Sequence, residues 1–285
     1  MNFSINTVLF VFPFRNRNTN LFPIFKKWGF DKVELLIENP GDIDPRYIKR
    51  ELDKHGLACG SVCGAMNPER DLRGSLPSQR NGVKFLTALL DQMTELDCPI
   101  LGGPVYSYVG RAEAVAPADY KKQWRSVVNN LKVVAKYAKK RGKLVCLEPL
   151  NRFETDFINT VEQGLQMIRD VNSPALKLHI DTFHANIEEK SIDKAILQAG
   201  KHLAHMHVCG SDRGTPGNDH IDWKAIGRAL KTIRYAGDIV IESVTLDVPG
   251  IAKSAAIWRR MEPTRDEIAV QGLKFLKKAL VPKRS

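Results

Sequence analysis

The hydrophobic pattern of this chain changes period repeatedly along all 285 residues. Eight segments have the two-residue period of a β-strand, and eight have the longer period of an amphipathic α-helix, in strict alternation. Such alternation indicates a parallel sheet with helices packed against it. Eight units of about 30 residues also match the usual length of a (β/α)8 barrel.

The predicted strands are residues 4–12, 32–38, 58–64, 99–106, 143–150, 176–183, 203–210 and 238–244. The predicted helices are residues 21–29, 44–56, 81–97, 118–142, 160–172, 192–202, 222–237 and 264–280. The competing fold, a doubly wound open sheet, usually has a glycine-rich phosphate turn after its first strand. Here that strand is followed by PFRNRNTN, which contains no glycine. We therefore predict an α/β protein, a single (β/α)8 TIM barrel over residues 1–285.

Charge and composition narrow the classes of partner. The net charge of +11 raises nucleic acid as a partner. However, the basic residues are scattered over different predicted helices, without the interleaved aromatic side chains that stack on bases. No segment approaches the roughly 18–20 apolar residues of a membrane helix. We predict that the chain uses neither a nucleic acid nor a membrane as its partner.

The N-terminal segment and the cysteines bear on the compartment. MNFSINTVLFVFPFRNRN contains an apolar run, but it lacks the basic start and the small-residue cleavage site of an export signal. The five cysteines are odd in number and have no zinc-binding spacing. We expect reduced, buried, structural cysteines and a cytoplasmic protein.

Four consecutive predicted strands each end in a side chain of metal-ligand type. These are Glu148, Asp181, His207 and Glu242, in the fifth to eighth strands. In this kind of barrel the active site lies at the carboxyl ends of the strands, so the four are expected at one rim. Three carboxylates there would repel one another without a cation. A mostly oxygen site suits Mn²⁺ or Mg²⁺, with Co²⁺ and Zn²⁺ also open.

Each of these residues also has an ordinary structural explanation. Asp181 could cap a helical turn that begins at Thr182, and His207 could be a core histidine. Glu148 could cap a loop, and Glu242 could pair with an arginine. Charged groups are rarely buried without partners. Four equivalent strand ends therefore favour one common cause, a metal centre.

Further polar residues follow the same strands. His184 lies three residues beyond Asp181, in a predicted loop, where it would meet a substrate oxygen or hydrogen-bond to a carboxylate. The segment NRFE supplies Asn151, Arg152 and Glu154 after the fifth strand. Arg213 belongs to a glycine- and proline-rich loop that could cross the barrel mouth, although it could also be an ordinary surface arginine. These residues favour a site for a polar small molecule.

Four motifs, LEPLNRFET, DTFHANIEE, HVCGSDRGTPGNDHIDW and IES, resemble those of the D-tagatose 3-epimerase group of ketose 3-epimerases. This group belongs to the sugar-phosphate isomerase/epimerase barrel superfamily. The resemblance implies metal ligands at Glu148, Asp181, His207 and Glu242. It also implies substrate-binding residues at Glu154, His184 and Arg213. One position departs from the family: Gly210 stands where many ketose epimerases have a glutamate three residues after the metal histidine.

The implied reaction is C3 epimerisation of a ketose through a cis-enediolate, with Glu148 and Glu242 as the acid/base pair. Two other reactions at the same metal site stay open, an aldose–ketose isomerase and a lyase acting on a keto-sugar or oxidised glycoside. A metal-dependent endonuclease that repairs abasic DNA is a further alternative, although the first four strands end without histidine. A non-catalytic sugar-binding barrel is the last alternative function.

The sequence does not decide the oligomeric state, and we expect either a homodimer or a homotetramer.

Overall fold

Eight parallel strands close into a barrel in the computed structural model, which describes residues 1–280. Each strand pairs with the next one along the chain, and the eighth pairs with the first. The strands are β1 Asn2–Asn6, β2 Lys32–Ile37, β3 Ala58–Gly64, β4 Ile100–Gly103, β5 Leu144–Leu147, β6 Leu176–Asp181, β7 Leu203–Val208 and β8 Asp238–Ile241. The predicted (β/α)8 barrel is confirmed. Residues 281–285 of the predicted domain lie outside the described residues.

Ten α-helices connect the strands or follow them along the described residues. They are α1 Phe22–Trp28, α2 Pro45–Lys54, α3 Leu76–Glu95, α4 Pro117–Lys140, α5 Val161–Val171, α6 Thr182–Glu188, α7 Ile192–Ala199, α8 Trp223–Thr232, α9 Pro249–Ser254 and α10 Arg265–Leu280. Eight of them match the predicted helices. The short helices α6 and α9 were not predicted, and they follow β6 and β8 at the carboxyl ends of the strands.

Seven of the eight predicted strands are shorter in the structure, and in two of them a local feature explains where the strand ends. Strand β1 ends at Asn6, whose side chain accepts a hydrogen bond from the Val8 backbone N–H and starts a 3₁₀ turn over Thr7–Leu9. Strand β4 ends at Gly103, which has a φ of 108° and precedes a proline. Both strands therefore end early at the carboxyl end of the barrel, which is the end where active sites form in this fold.

Apolar side chains from the strands and from the inner faces of the helices form one large buried core. The five cysteines are unpaired and buried, as predicted. Across residues 1–280, no helix has both the length and the apolar character that crossing a membrane requires. Unlike this apolar core, the barrel interior near the carboxyl ends of the strands contains buried polar and charged side chains. This region carries the candidate site.

Candidate active site at the carboxyl ends of the strands

The fold brings the four strand-end residues together. Asp181 is the last residue of β6, His207 lies in β7, and Glu148 and Glu242 directly follow β5 and β8. One ligand atom from each side chain lies within 4.8 Å of the ligand atoms of the other three. Residues from four consecutive strands therefore form one compact group of three carboxylates and one imidazole.

Burial makes the charges of this group hard to tolerate without a cation. Glu148 is 3% exposed, Asp181 is 1% exposed, and His207 is fully buried. Burial raises the pKa of Glu148 well above its ordinary range. Burial acts to lower the pKa of His207, but the neighbouring Glu242 and Glu34 carboxylates outweigh it and raise that pKa well above the usual value. The group therefore favours added positive charge.

The donor set fits a divalent metal ion. Glu148 Oε1 is buried and has no hydrogen-bond partner among the described residues. His207 Nδ1 lies 3.0 Å from Glu242 Oε2 and 4.0 Å from Glu148 Oε1. An unsatisfied buried oxygen that faces an imidazole and further carboxylates is the environment expected for a ligand set.

Asp181 combines two of the roles considered from the sequence. Its Oδ1 accepts a hydrogen bond of 2.8 Å from the Phe183 backbone N–H and caps helix α6. Its Oδ2 pairs with the guanidinium of Arg213. The helix-cap explanation is therefore true of one oxygen, and it leaves the other facing the strand-end group.

Arg213 is buried, so the alternative of an ordinary surface arginine is wrong. Besides Asp181, its Nη1 lies 3.3 Å from Glu242 Oε2. The guanidinium also stands over the Phe183 ring, 4.5 Å from the centroid. Arg213 thus supplies part of the positive charge that these carboxylates need, and its backbone has a left-handed φ of 68° within a tight turn.

His184 lies in helix α6 and not in a loop as predicted, because the Asp181 cap starts a helix at Thr182. Its Nδ1 accepts a hydrogen bond of 3.2 Å from the Asn151 backbone N–H, which places the ring proton on Nε2. Nε2 lies 3.8 Å from both Glu148 Oε1 and Asp181 Oδ2, beyond hydrogen-bond distance. The proposed hydrogen bond to a carboxylate is absent, and the ring N–H faces the space above the group.

Burial lowers the pKa of His184 to about 4, so the imidazole is neutral near pH 7. Arg213 Nη2 lies 3.3 Å from His184 Nε2. Because the His184 ring proton is on Nε2 and a guanidinium only donates, this contact joins two donors and is not a hydrogen bond. Two neighbouring donors of this kind are suited to an oxygen atom that develops negative charge.

A cavity of about 250 Å³ lies above these groups. Five polar residues singled out from the sequence line it: Glu148, Glu154, His184, Arg213 and Glu242. Apolar side chains form much of the remaining wall, among them Val8, Phe12, Leu36, Met66, Val109, Val244 and Ile251. The cavity is small and combines apolar walls with a few charged and hydrogen-bonding groups, which suits a compact ligand with polar atoms.

Some residues of the segment after β5 line the cavity, and others lie on the outer surface. Glu154 lines the cavity, and the Asn151 amide donates a hydrogen bond of 2.9 Å to its Oε1. Arg152, which the sequence placed beside them, is exposed and pairs with Glu188 at 3.0 Å. Arg152 therefore belongs to the outer surface and does not line the cavity.

Comparison with known proteins agrees with this architecture. The family model described as Xylose isomerase-like TIM barrel matches residues 22–279. The chain belongs to this family. Within it, the chain is 34% identical to a D-psicose 3-epimerase of Ruminiclostridium cellulolyticum over 85% of this chain and 83% of that protein. It is 31% identical to an L-ribulose 3-epimerase of Methylomonas sp., covering 87% of each. The resemblance to ketose 3-epimerases is confirmed.

Solved structures of the family superpose over nearly the whole chain. The D-allulose 3-epimerase of Methylomonas sp. in complex with D-allulose has a TM-score of 0.91 and is 26% identical. The alignment covers 98% of this chain and 97% of that one. The shared fold therefore extends over nearly the whole of both chains.

Gly210, the departure from the family pattern, lies in a tight turn. Its N–H donates to the Gly214 carbonyl at 3.0 Å, and its carbonyl accepts from the Arg213 N–H at 2.9 Å. A Cβ atom at Gly210 would lie 2.9 Å from the Thr215 backbone oxygen. A glutamate at this position would require the backbone to move, so the turn that carries Arg213 is built around glycine.

This geometry predicts that Gly210→Ala lowers the free energy of unfolding by about 1–3 kcal/mol, the usual cost of forcing an extra group into packed structure. It should also lower activity, because the turn positions Arg213. Urea unfolding followed by circular dichroism measures the first effect. Gly41→Ala is the matched control, since a Cβ at Gly41 meets nothing within 4 Å. Equal stability of the two variants would contradict the prediction.

Sequence reasoning missed the buried polar groups deeper in the barrel. Asn6, Glu34, Ser61 and His205 are all fully buried. The strand KVELLIE carried a usable signal, because Glu34 is a charged residue inside an otherwise apolar run. A charge at that position requires partners inside the barrel.

Proposed function

We propose that this protein is a metal-dependent ketose 3-epimerase. The observation that carries the proposal is the group of three carboxylates and one imidazole at consecutive strand ends, under a cavity that also presents His184 and Arg213. The names of the relatives, which include D-psicose and L-ribulose 3-epimerases, support the same substrate class. Ketoses are compact, and their hydroxyl and carbonyl oxygens would meet the polar groups of the cavity.

Glu148, Asp181, His207 and Glu242 are the residues that would hold the ion. Their mostly oxygen donor set favours Mn²⁺, with Mg²⁺ or Co²⁺ as alternatives. When bound, the ion would act as a Lewis acid toward the ketose carbonyl and would make the adjacent C–H more acidic. Arg213 would remain beside Asp181 and Glu242 and would share in balancing their charge.

Glu148 and Glu242 are the acid/base pair of the proposed reaction. They follow strands five and eight, so their carboxylates approach the cavity from different sides of the barrel. One carboxylate removes the C3 proton, and the electron pair of that C–H bond converts the C2 carbonyl to a cis-enediolate. The other glutamate, in its protonated form, returns a proton to the opposite face of C3. The substrate leaves with inverted configuration and no net change in atoms.

Glu154, His184 and Arg213 are the proposed substrate-binding residues. The Nε2 proton of His184 and the nearby Arg213 guanidinium would both donate to the oxygen on which negative charge develops. Glu154 has one oxygen held by the Asn151 amide, and its carboxylate would accept a hydrogen bond from a sugar hydroxyl. These contacts orient C3 between the two catalytic glutamates.

Solvent exchange tests this function directly. We expect that the Mn²⁺-loaded protein in D₂O will replace the C3 hydrogen of a ketose with deuterium and produce the C3 epimer. A panel of ketopentoses and ketohexoses, followed by NMR, identifies the exchanging carbon and the product. Boiled protein and metal-free protein are the controls.

The other outcomes distinguish the alternatives. Exchange at C1 with formation of an aldose would indicate an isomerase, and release of an aglycone from an oxidised glycoside would indicate a lyase. Cleavage of abasic DNA without sugar turnover would indicate the repair enzyme. We also infer a cytoplasmic location, since the five cysteines are free. We also predict that the protein is a homodimer or a homotetramer. Light scattering would measure the mass of the assembly and distinguish the two.

A further inference from the structure

A set of polar side chains fills the barrel interior next to the proposed metal ligands. We define the interior cluster as Asn6, Glu34, Ser61 and His205, from strands β1, β2, β3 and β7. All four are fully buried, and Glu34 is a carboxylate with no contact with water. A buried carboxylate is costly unless hydrogen bonds and positive charge surround it. Its surroundings therefore indicate what it does.

The two oxygens of Glu34 face different partners. Oε2 accepts a hydrogen bond of 2.5 Å from the Ser61 hydroxyl and lies 2.7 Å from His205 Nε2. Oε1 lies 2.7 Å from Nε2 of His207, a proposed metal ligand. The His207 ring is not aligned for a full hydrogen bond, so this is a close charge contact. Oε2 therefore contacts residues of the interior cluster, and Oε1 contacts a proposed metal ligand.

The opposite edge of the His207 ring faces the carboxylates. Nδ1 lies 3.0 Å from Glu242 Oε2, whereas Nε2 faces Glu34. A carboxylate lies beside each nitrogen, but Glu242 is a proposed ligand and would turn its charge to the ion, which would leave Glu34 as the carboxylate that keeps the one proton of a neutral imidazole on Nε2. Glu34 thus favours the tautomer whose Nδ1 lone pair is directed to the strand-end group.

Asn6 connects the interior cluster to a catalytic glutamate. Its amide nitrogen donates hydrogen bonds to Glu34 Oε1 at 2.6 Å and to Glu242 Oε1 at 2.8 Å. Its amide oxygen accepts from the Val8 backbone N–H at 2.9 Å, which fixes the orientation of the amide. Asn6 therefore holds one oxygen of Glu242 and leaves the other beside His207.

We propose that Glu34, assisted by Asn6, is a positioning residue that fixes His207 with Nδ1 toward the metal ion and ties this ring to Glu242. The role rests on the proposed metal-dependent function. It also gives the first half of the chain, whose strands carry none of the four strand-end ligands, a defined part in the site. A purely structural buried carboxylate would satisfy its partners without influencing metal affinity.

Metal affinity of a conservative variant tests this role. Glu34→Gln keeps the size of the side chain and removes its charge. We expect the Kd for Mn²⁺, measured from the free-ion electron paramagnetic resonance signal, to rise about 10–100-fold, as for other partners of metal-bound histidines. An affinity within about threefold of wild type would overturn the role.

Asp238→Asn is the matched control. Asp238 is another buried carboxylate, 3% exposed, which pairs with Lys32 at the start of β8. This variant should lose stability and keep the Mn²⁺ affinity of the wild type. An equal loss of affinity in both variants would reduce the Glu34 effect to general destabilisation and refute the positioning role. Failure of wild-type protein to bind Mn²⁺ would instead refute the proposed function, and the positioning role with it.

A second measurement uses wild-type protein and so does not depend on whether Glu34→Gln folds. Metal-free protein with isotope-labelled histidine is loaded with an NMR-active cadmium isotope. The positioning role predicts scalar coupling between cadmium and Nδ1 of His207, together with a protonated Nε2. Coupling to Nε2 would overturn the role, because Glu34 would then face the wrong nitrogen.

Discussion

Replacing Glu148 or Glu242 with glutamine is expected to lower the turnover number for epimerisation by about a thousandfold or more. General acid–base groups typically contribute about 10²–10⁴-fold, and each glutamate is also a proposed metal ligand. Each side chain lines the cavity, and its ligand atom lies within 4.8 Å of those of Asp181 and His207. Steady-state kinetics with the preferred ketose, at saturating Mn²⁺, measures the loss.

Solvent exchange distinguishes loss of one base from general damage. With one glutamate intact, a variant can still deprotonate one of the two C3 epimers and return deuterium to the same face. Each single variant should therefore exchange one epimer slowly in D₂O without forming the other, and the two variants should prefer opposite epimers. Glu69→Gln, at an exposed residue of the short 3₁₀ helix Pro68–Arg70, is the matched control and should retain wild-type turnover. Wild-type turnover by both active-site variants would remove the two glutamates from their proposed roles.

Removal of the metal ion is expected to abolish at least about 99% of the activity, because the carbon acid then lacks its main electrostatic support. Dialysis against a chelator, followed by elemental analysis, defines the metal-free state. Activity should return on addition of Mn²⁺. Binding should also raise the free energy of unfolding, by about 4 kcal/mol when the free ion is at a thousand times its Kd.

Chelator already saturated with metal is the control for direct effects of the chelator on the protein. Parallel additions of Mg²⁺, Co²⁺ and Zn²⁺ then rank the ions, which the donor set alone does not decide. Full activity in protein shown to contain no metal would contradict the account. It would require Arg213 and His184 alone to support the developing charge.

The barrel was predictable because strand and helix periods alternate over the whole chain, and few folds accept that order. The strand-end group was predictable for a related reason. Glu148, Asp181, His207 and Glu242 follow one another at intervals of about one βα unit, and a barrel places such positions on one rim. Here, topology converts spacing along the chain into proximity in space.

Features that depend on side-chain direction were not predictable. Whether Arg213 faces solvent or Asp181 depends on a left-handed backbone at that residue within a tight turn. His184 entered a helix because Asp181 caps it, and the sequence did not show which of two roles that carboxylate would take. Asn6 and Glu34 were missed because a strand pattern does not reveal which face of a closed barrel a polar residue occupies.

The most direct test of the account is a crystal structure of the protein soaked in Mn²⁺, with data collected at the manganese absorption edge. The account predicts one anomalous peak at the carboxyl end of the barrel, coordinated by Glu148, Asp181, His207 through Nδ1, and Glu242. A crystal in which the anomalous signal lies elsewhere, or in which these four side chains surround no ion at saturating Mn²⁺, would contradict it.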